Sequence, residues 1–94
     1  MLITLDMIPL QEQDVVSRTI DGEAVLVTPA QGEVKVINEV GARIWEVCDG
    51  QISASQIVEL ICNEYQVERD QAEKDVLEFL EALYTRGLIV VSGS

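Results

Sequence analysis

The sequence predicts an α+β domain in which a three-stranded antiparallel sheet is followed by a bundle of three helices. Three observations carry this prediction. Residues 14–37 alternate β-branched residues between turn signals, residues 38–87 repeat apolar residues at three and four, and no repeat or low-complexity linker divides the two halves. Ninety-four residues, 48% of them apolar and 24% charged, fit one globular domain. Such a domain has a radius of gyration of roughly 12 Å and buries only about 60–65% of its unfolded surface. A pocket for a drug-sized ligand would strain it.

The strands come first. Val15–Ile20 (VVSRTI) and Ala24–Thr28 (AVLVT) flank Asp21-Gly22, a short-range hairpin signal. Pro29-Ala30-Gln31-Gly32 is a turn cluster, after which Glu33–Ile37 (EVKVI) resumes the alternation. Val34 and Val36 share one face of this strand, and Lys35 and Ile37 share the other. Paired in sequence order, the strands leave Glu33–Ile37 at a sheet edge. A sheet this small must bury one face against something else.

The helices supply that partner. Asn38 is the expected N-cap of a helix reaching Cys48, with Val40, Ile44, Val47 and Cys48 on one stripe and Gly50 as the stop. Ser53 and Gln56 fit a capping box for a second helix, whose apolar face is Ile57, Val58, Leu60, Ile61 and Tyr65. A third helix is expected from Arg69 to Arg86, carrying Ala72, Val76, Phe79, Leu80, Leu83 and Tyr84, with Gly87 closing it. Leu88–Val91 is a short apolar tail or a last strand. The order is winged helix-turn-helix-like. It divides a single domain, 1–94, into an N-terminal arm (1–13), a sheet (14–37), three helices (38–87) and a tail (88–94).

Charge and missing residue types exclude most chemistry. Seventeen acids against six bases give a net charge of -11, which opposes binding to nucleic acid or to an anionic membrane. The helix that would enter a DNA groove sets Glu68, Asp70, Glu73, Asp75, Glu78 and Glu81 against Arg69, Lys74 and Arg86. The chain has no histidine, hence no imidazole base, and its glycines form no phosphate-cradling loop. Cys48 and Cys62, 14 residues apart, are too few ligands for a zinc site and are expected as buried free thiols. We therefore expect no enzyme, no metal and no cofactor. The start, MLITLDMIPL, lacks a basic n-region and is interrupted by Asp6 and Pro9, unlike a signal peptide. No window approaches the roughly 20 apolar residues of a membrane helix, so a cytoplasmic location is expected.

Recognition through backbone and apolar surface remains. An open strand edge can be extended by a peptide. The third helix carries a broad apolar arc, Val76, Leu77, Phe79, Leu80, Leu83 and Tyr84, that could line a groove beside that edge. A winged-helix interaction or regulatory domain that dimerises, or meets a protein partner, through the same edge is the alternative.

The segment VKVINEVGARIWEVCDG decides between these. Its Ile37, Asn38, Gly41, Ala42, Ile44, Trp45, Asp49 and Gly50 resemble the hallmark of the PqqD-like family, the RiPP recognition elements. Ser53 at the second helix, Tyr65 and Val67 after it, and Ala72, Asp75, Val76, Phe79, Leu80 and Leu83 leading to Gly87-Leu88 are similar to the family's later features. Asp14–Val27 resembles its first hairpin, so the resemblance covers about residues 9–91. The Gly87-Leu88-Ile89-Val90 ending looks like the broader stand-alone group more than the pyrroloquinoline quinone members.

The resemblance implies non-catalytic binding of the leader segment of a ribosomally made precursor peptide. The leader would add to the third strand, at Val34, Lys35, Val36 and Ile37, and pack on the third helix at Asp75, Val76, Phe79 and Leu83. The domain would then present the peptide to a radical SAM enzyme or a leader peptidase. On physical grounds the hallmark residues are expected to be structural: Asn38 as a cap, Gly41 and Ala42 for close backbone approach, Trp45 as core, and Asp49-Gly50 as a turn.

Overall fold

The computed structural model describes residues 3–28 and 31–93. Its elements run β1 (Ile8–Gln11), β2 (Val16–Ile20), β3 (Glu23–Thr28), β4 (Glu33–Ile37), α1 (Glu39–Glu46), α2 (Ala54–Tyr65), α3 (Arg69–Thr85) and β5 (Ile89–Ser92). β2, β3 and β4 form a three-stranded antiparallel sheet with β4 at one edge. The radius of gyration is 12.5 Å, as expected for this length. Pro29 and Ala30 of the expected turn lie outside the described residues, while Gln31 and Gly32 both donate their N–H to the Thr28 carbonyl.

Local chemistry sets the junctions. Asp21 and Gly22 both take positive φ, 52° and 86°, the geometry of a two-residue type I′ hairpin turn. Asn38 Oδ1 accepts from Gly41 N at 2.8 Å and caps α1. Ser53 and Gln56 close the capping box of α2 through Ser53 N to Gln56 Oε1 at 2.8 Å and Gln56 N to Ser53 Oγ at 3.3 Å. Gln66, left-handed at φ 52°, ends α2 with its N–H on the Cys62 carbonyl.

The core forms where the inner face of the sheet meets the helices. Leu26, Ile57, Val58, Val76, Leu80, Leu83 and Ile89 are fully buried. Each such side chain stabilises the fold by roughly 1.5–3 kcal/mol. Trp45 belongs to this core, as expected, and its buried indole N–H has no hydrogen-bond partner among the described residues. Cys48 is buried and its thiol is pushed up to about 12, first by burial and then by the neighbouring Asp49 charge. Cys62 is also free but only half-buried, contrary to the expectation for both thiols.

The N-terminal arm and the tail together make a second sheet. β1 pairs antiparallel with β5, Pro9 facing Val91. The other side of β1 holds the turn after α1, through Gln11 N to Cys48 O at 2.8 Å and Gly50 N to Pro9 O at 3.0 Å. The carbonyls of Met7 and Leu5 accept from Ala54 N and Ser55 N, so the same segment anchors the start of α2. Asp49-Gly50 thus does more than stop a helix. It docks β1, and Gly50 (φ +81°) is so close that a Cβ would meet Leu10 Cδ1 at 3.3 Å.

Candidate functional site

The open edge of β4 can be assigned residue by residue. A type I′ turn makes Ile20 and Glu23 a hydrogen-bonded pair, so bonding and non-bonding pairs alternate outward from it. Ala24, Leu26 and Thr28 therefore direct their backbone groups toward β4, onto Ile37, Lys35 and Glu33. The N–H and C=O groups of Val34 and Val36 face away from the sheet. No further backbone bond reaches them among the described residues. Their side chains are 65% and 61% exposed on the outer face. Lys35 is half-buried and Ile37 buried on the inner face.

Two clefts flank this strand, one lined by α3 and the other by its C-cap residue Arg86. One, of about 310 Å³, is lined by Asn38, Val40, Gly41, Ile44, Ile61, Val67, Ala72, Asp75, Val76 and Phe79. It lies where β4 passes into α1. The other, of about 280 Å³, is lined by Leu26, Thr28, Glu33, Val34, Lys35, Arg86 and Leu88, at the start of β4 and the end of α3. Low residue numbers of β4 thus neighbour high numbers of α3, and the strand and helix run in opposite senses. β2, the other edge strand, is exposed along its whole length, and none of its residues lines either of these two clefts.

The first cleft depends on a small residue. A Cβ at Gly41 would lie 3.1 Å from Cε1 and Cζ of Phe79 and 3.2 Å from Asn38 Oδ1. Gly41 was expected to let a backbone approach, but what it admits is the half-buried Phe79 ring. Asp75 sits at the rim, exposed and bonded to Gln71 Nε2 at 2.9 Å. α1 is held to α2 by Arg43, whose Nε and Nη2 bind the Glu64 carboxylate at 3.0 and 2.9 Å. That contact raises the Arg43 pKa and holds Glu64 below its ordinary value.

The structure sorts the residues expected on α3. Asp75, Val76 and Phe79 line the first cleft, with Val76 as its buried floor. Leu83 does not join them: it is fully buried and offers no surface to a ligand. At 100° per residue, Asp75, Phe79, Ala82 and Arg86 fall within roughly 60° around the helix, while Val76, Leu80 and Leu83 turn toward the core. Exposed Ala82 therefore occupies the middle of the groove-facing stripe, where Leu83 was expected. Sequence reasoning also missed Arg86, Val40 and Val67. The i, i+4, i+7, i+11 spacing of 75, 79, 82 and 86 is the signal that would have found Ala82 and Arg86.

Other chemistry is sparse among the described residues. No group of three or more His, Cys, Asp or Glu residues could hold a metal ion. No helix is long and apolar enough to cross a membrane.

Solved structures share this architecture. TbiB1 in complex with the TbiA(beta) leader peptide is 34% identical and superposes with a TM-score of 0.80, over 90% of this chain and 99% of that one. Lasso peptide synthetase B1 complexed with the leader peptide matches at a TM-score of 0.78 and 23% identity, over 88% and 98% of the two chains. The PqqD truncation of Methylobacterium extorquens PqqCD, a RiPP recognition element, matches at 0.72 and 20% identity, over 87% of each chain. At those lower identities the last two support the fold alone. No curated protein matches the sequence. The family model for coenzyme PQQ synthesis protein D matches residues 23–89, from the start of β3 to the first residue of β5, and the chain belongs to that PqqD family.

Proposed function

We propose that this protein binds, without catalysis, the leader segment of a ribosomally made precursor peptide. The leader adds as a strand to β4 and seats side chains against α3. The observation that carries this reading is the edge of β4 at Val34 and Val36, unpaired among the described residues and flanked by two clefts, one lined by α3 and one by its C-cap Arg86. Likeness to TbiB1, whose structure holds a leader peptide, supports it. Backbone pairing gives affinity that tolerates sequence change, and the clefts add selectivity. Ordering a flexible leader costs free energy, so nanomolar to micromolar affinity is expected.

In this reading residues 1–94 act as one binding domain in the cytoplasm. The winged helix-turn-helix layout serves as a peptide scaffold, its acidic third helix being unsuited to phosphate. The bound peptide is presented to a modifying enzyme, a radical SAM enzyme or a leader peptidase. A second reading, dimerisation through the sheet, is favoured by the exposed side chains of Val16, Ile20, Val34 and Val36.

Titration of isotope-labelled protein with the peptide encoded by a short reading frame beside the gene tests the proposal. Amide shifts concentrated in residues 33–38 and 72–86 are expected. Shifts confined to the outer face, appearing with protein concentration alone, would favour the dimer.

A further inference from the structure

The chain has six basic residues, and their commitments differ. Arg43 is paired with Glu46 and Glu64, and Arg69 with Glu59. Among the described residues Arg18, Lys35, Lys74 and Arg86 are in no ion pair. Two of these four, Lys35 on β4 and Arg86 at the C-cap of α3, line the same cleft. Glu33 lines it too, which leaves that cleft one net positive charge in a chain of net charge -11. The opposite end of the groove carries Asp75 and the Phe79 ring and no base among its lining residues. The groove is therefore polar along its length, basic at one end and apolar with an acidic rim at the other.

Strand geometry converts this polarity into a sequence requirement. From Val34, at the basic cleft, to Asn38, at the Phe79 cleft, is four residues, about 13 Å of extended chain. Side chains four apart on a strand point to the same face, so one peptide strand can fill both clefts. Both existing pairings in this sheet are antiparallel. An antiparallel peptide passes the Phe79 cleft first and the Lys35/Arg86 cleft second.

We infer that Lys35 and Arg86 hold a carboxylate of the bound peptide, and that the peptide recognised reads apolar–x–x–x–Asp/Glu from N- to C-terminus. This rests on the reading of β4 as the peptide site and names the chemistry of what it selects. Arg86 can grip a carboxylate through two N–H donors, and Lys35 adds a second charge from the strand. A peptide with the acid at the other end would set it against Asp75.

A display library of randomised ten-residue peptides, panned on the full chain, tests this. The enriched peptides are then measured by fluorescence anisotropy on the protein and on Val36→Pro, Lys35→Gln/Arg86→Gln and Lys35→Glu/Arg86→Glu. Both basic side chains are at least partly exposed, and thermal melting checks that the variants stay folded. Expected are peptides that lose binding with Val36→Pro and carry an acid four residues after an apolar anchor. They should lose about tenfold with the Gln pair, and lysine in place of the acid should restore binding to the Glu pair. Peptides that need an intact Val36 but show no acidic preference, and bind the Gln pair as tightly, would overturn this inference and leave strand addition standing. No enrichment, or binding indifferent to Val36→Pro, would overturn the strand-addition reading and this inference with it.

Discussion

Two strands of the molecule, β1 and β4, each pair with one neighbouring strand and treat their other side in opposite ways. β1 pairs with β5 on one side and with the turn at residues 48–50 on the other. It even tolerates Pro9 at no cost to the β1–β5 ladder. The Pro9 carbonyl faces Gly50, so its missing N–H lies on that same side, away from β5. Among the described residues β4 pairs only with β3, and its other side is open. An open edge is a hazard that proteins usually cover, and this chain does cover β1. Leaving β4 open beside two clefts is what a strand-capturing site requires.

Breaking the contrast directly gives the largest effect. Val36→Pro removes an outward N–H, places a ring in the path of an added strand, and leaves the β3 pairing intact. Peptide affinity should fall about a hundredfold, ~3 kcal/mol. Ser17 on β2 also directs its N–H outward by the same alternation, but it lines neither of the two clefts beside β4. Ser17→Pro should leave affinity unchanged, measured by the same titration. Equal losses from both prolines would show that the two edges do not differ.

The helix side of the groove sharpens the comparison. Ala82→Trp should fill the space between β4 and α3 and weaken peptide binding at least tenfold. The exposed position predicts a melting temperature within a few degrees of the parent. Gly41→Ala has a mixed outcome that separates fold from site. Alanine gains about 1 kcal/mol of helix propensity over glycine, but its Cβ pushes the Phe79 ring into the cleft. Calorimetry should therefore find little change in stability while binding weakens several-fold.

The smallest effect belongs to the brace away from the groove. Glu64 is held below its ordinary pKa chiefly by its hydrogen bond to Arg43. The stability this contributes is present above the unfolded carboxylate pKa and is lost as pH falls through the lower folded value. Arg43→Gln should lower the melting temperature slightly at pH 7 and not at all at pH 2, with peptide affinity at pH 7 unchanged. Glu64 lies at the exposed surface, so the difference is small.

Much of this was legible in the sequence because the signals are local. Asp21-Gly22, Asn38, and Ser53 with Gln56 act on neighbours within a few residues, and the structure uses each as its chemistry dictates. β1 was not legible: four residues containing a proline become a strand only because β5, about 80 residues later, and the turn at Asp49 hold them. The groove was half legible. Alternation placed Val34 and Val36 correctly, but the apolar arc of α3 did not reveal which side would be buried. Leu83 went to the core because the sheet and α2 occupy that side, and Ala82 was left facing the groove. Lys35 and Arg86, 51 residues apart, line one cleft only because α3 runs opposite to β4.

Amide hydrogen exchange at β4, followed by NMR with and without the peptide encoded beside the gene, tests the central claim most directly. In the free protein the Lys35 amide should be protected by β3, and the Val34 and Val36 amides should exchange rapidly. Saturating peptide should protect Val34 and Val36 and leave Lys35 unchanged. Peptide that binds while Val34 and Val36 continue to exchange at their free rates would contradict strand addition.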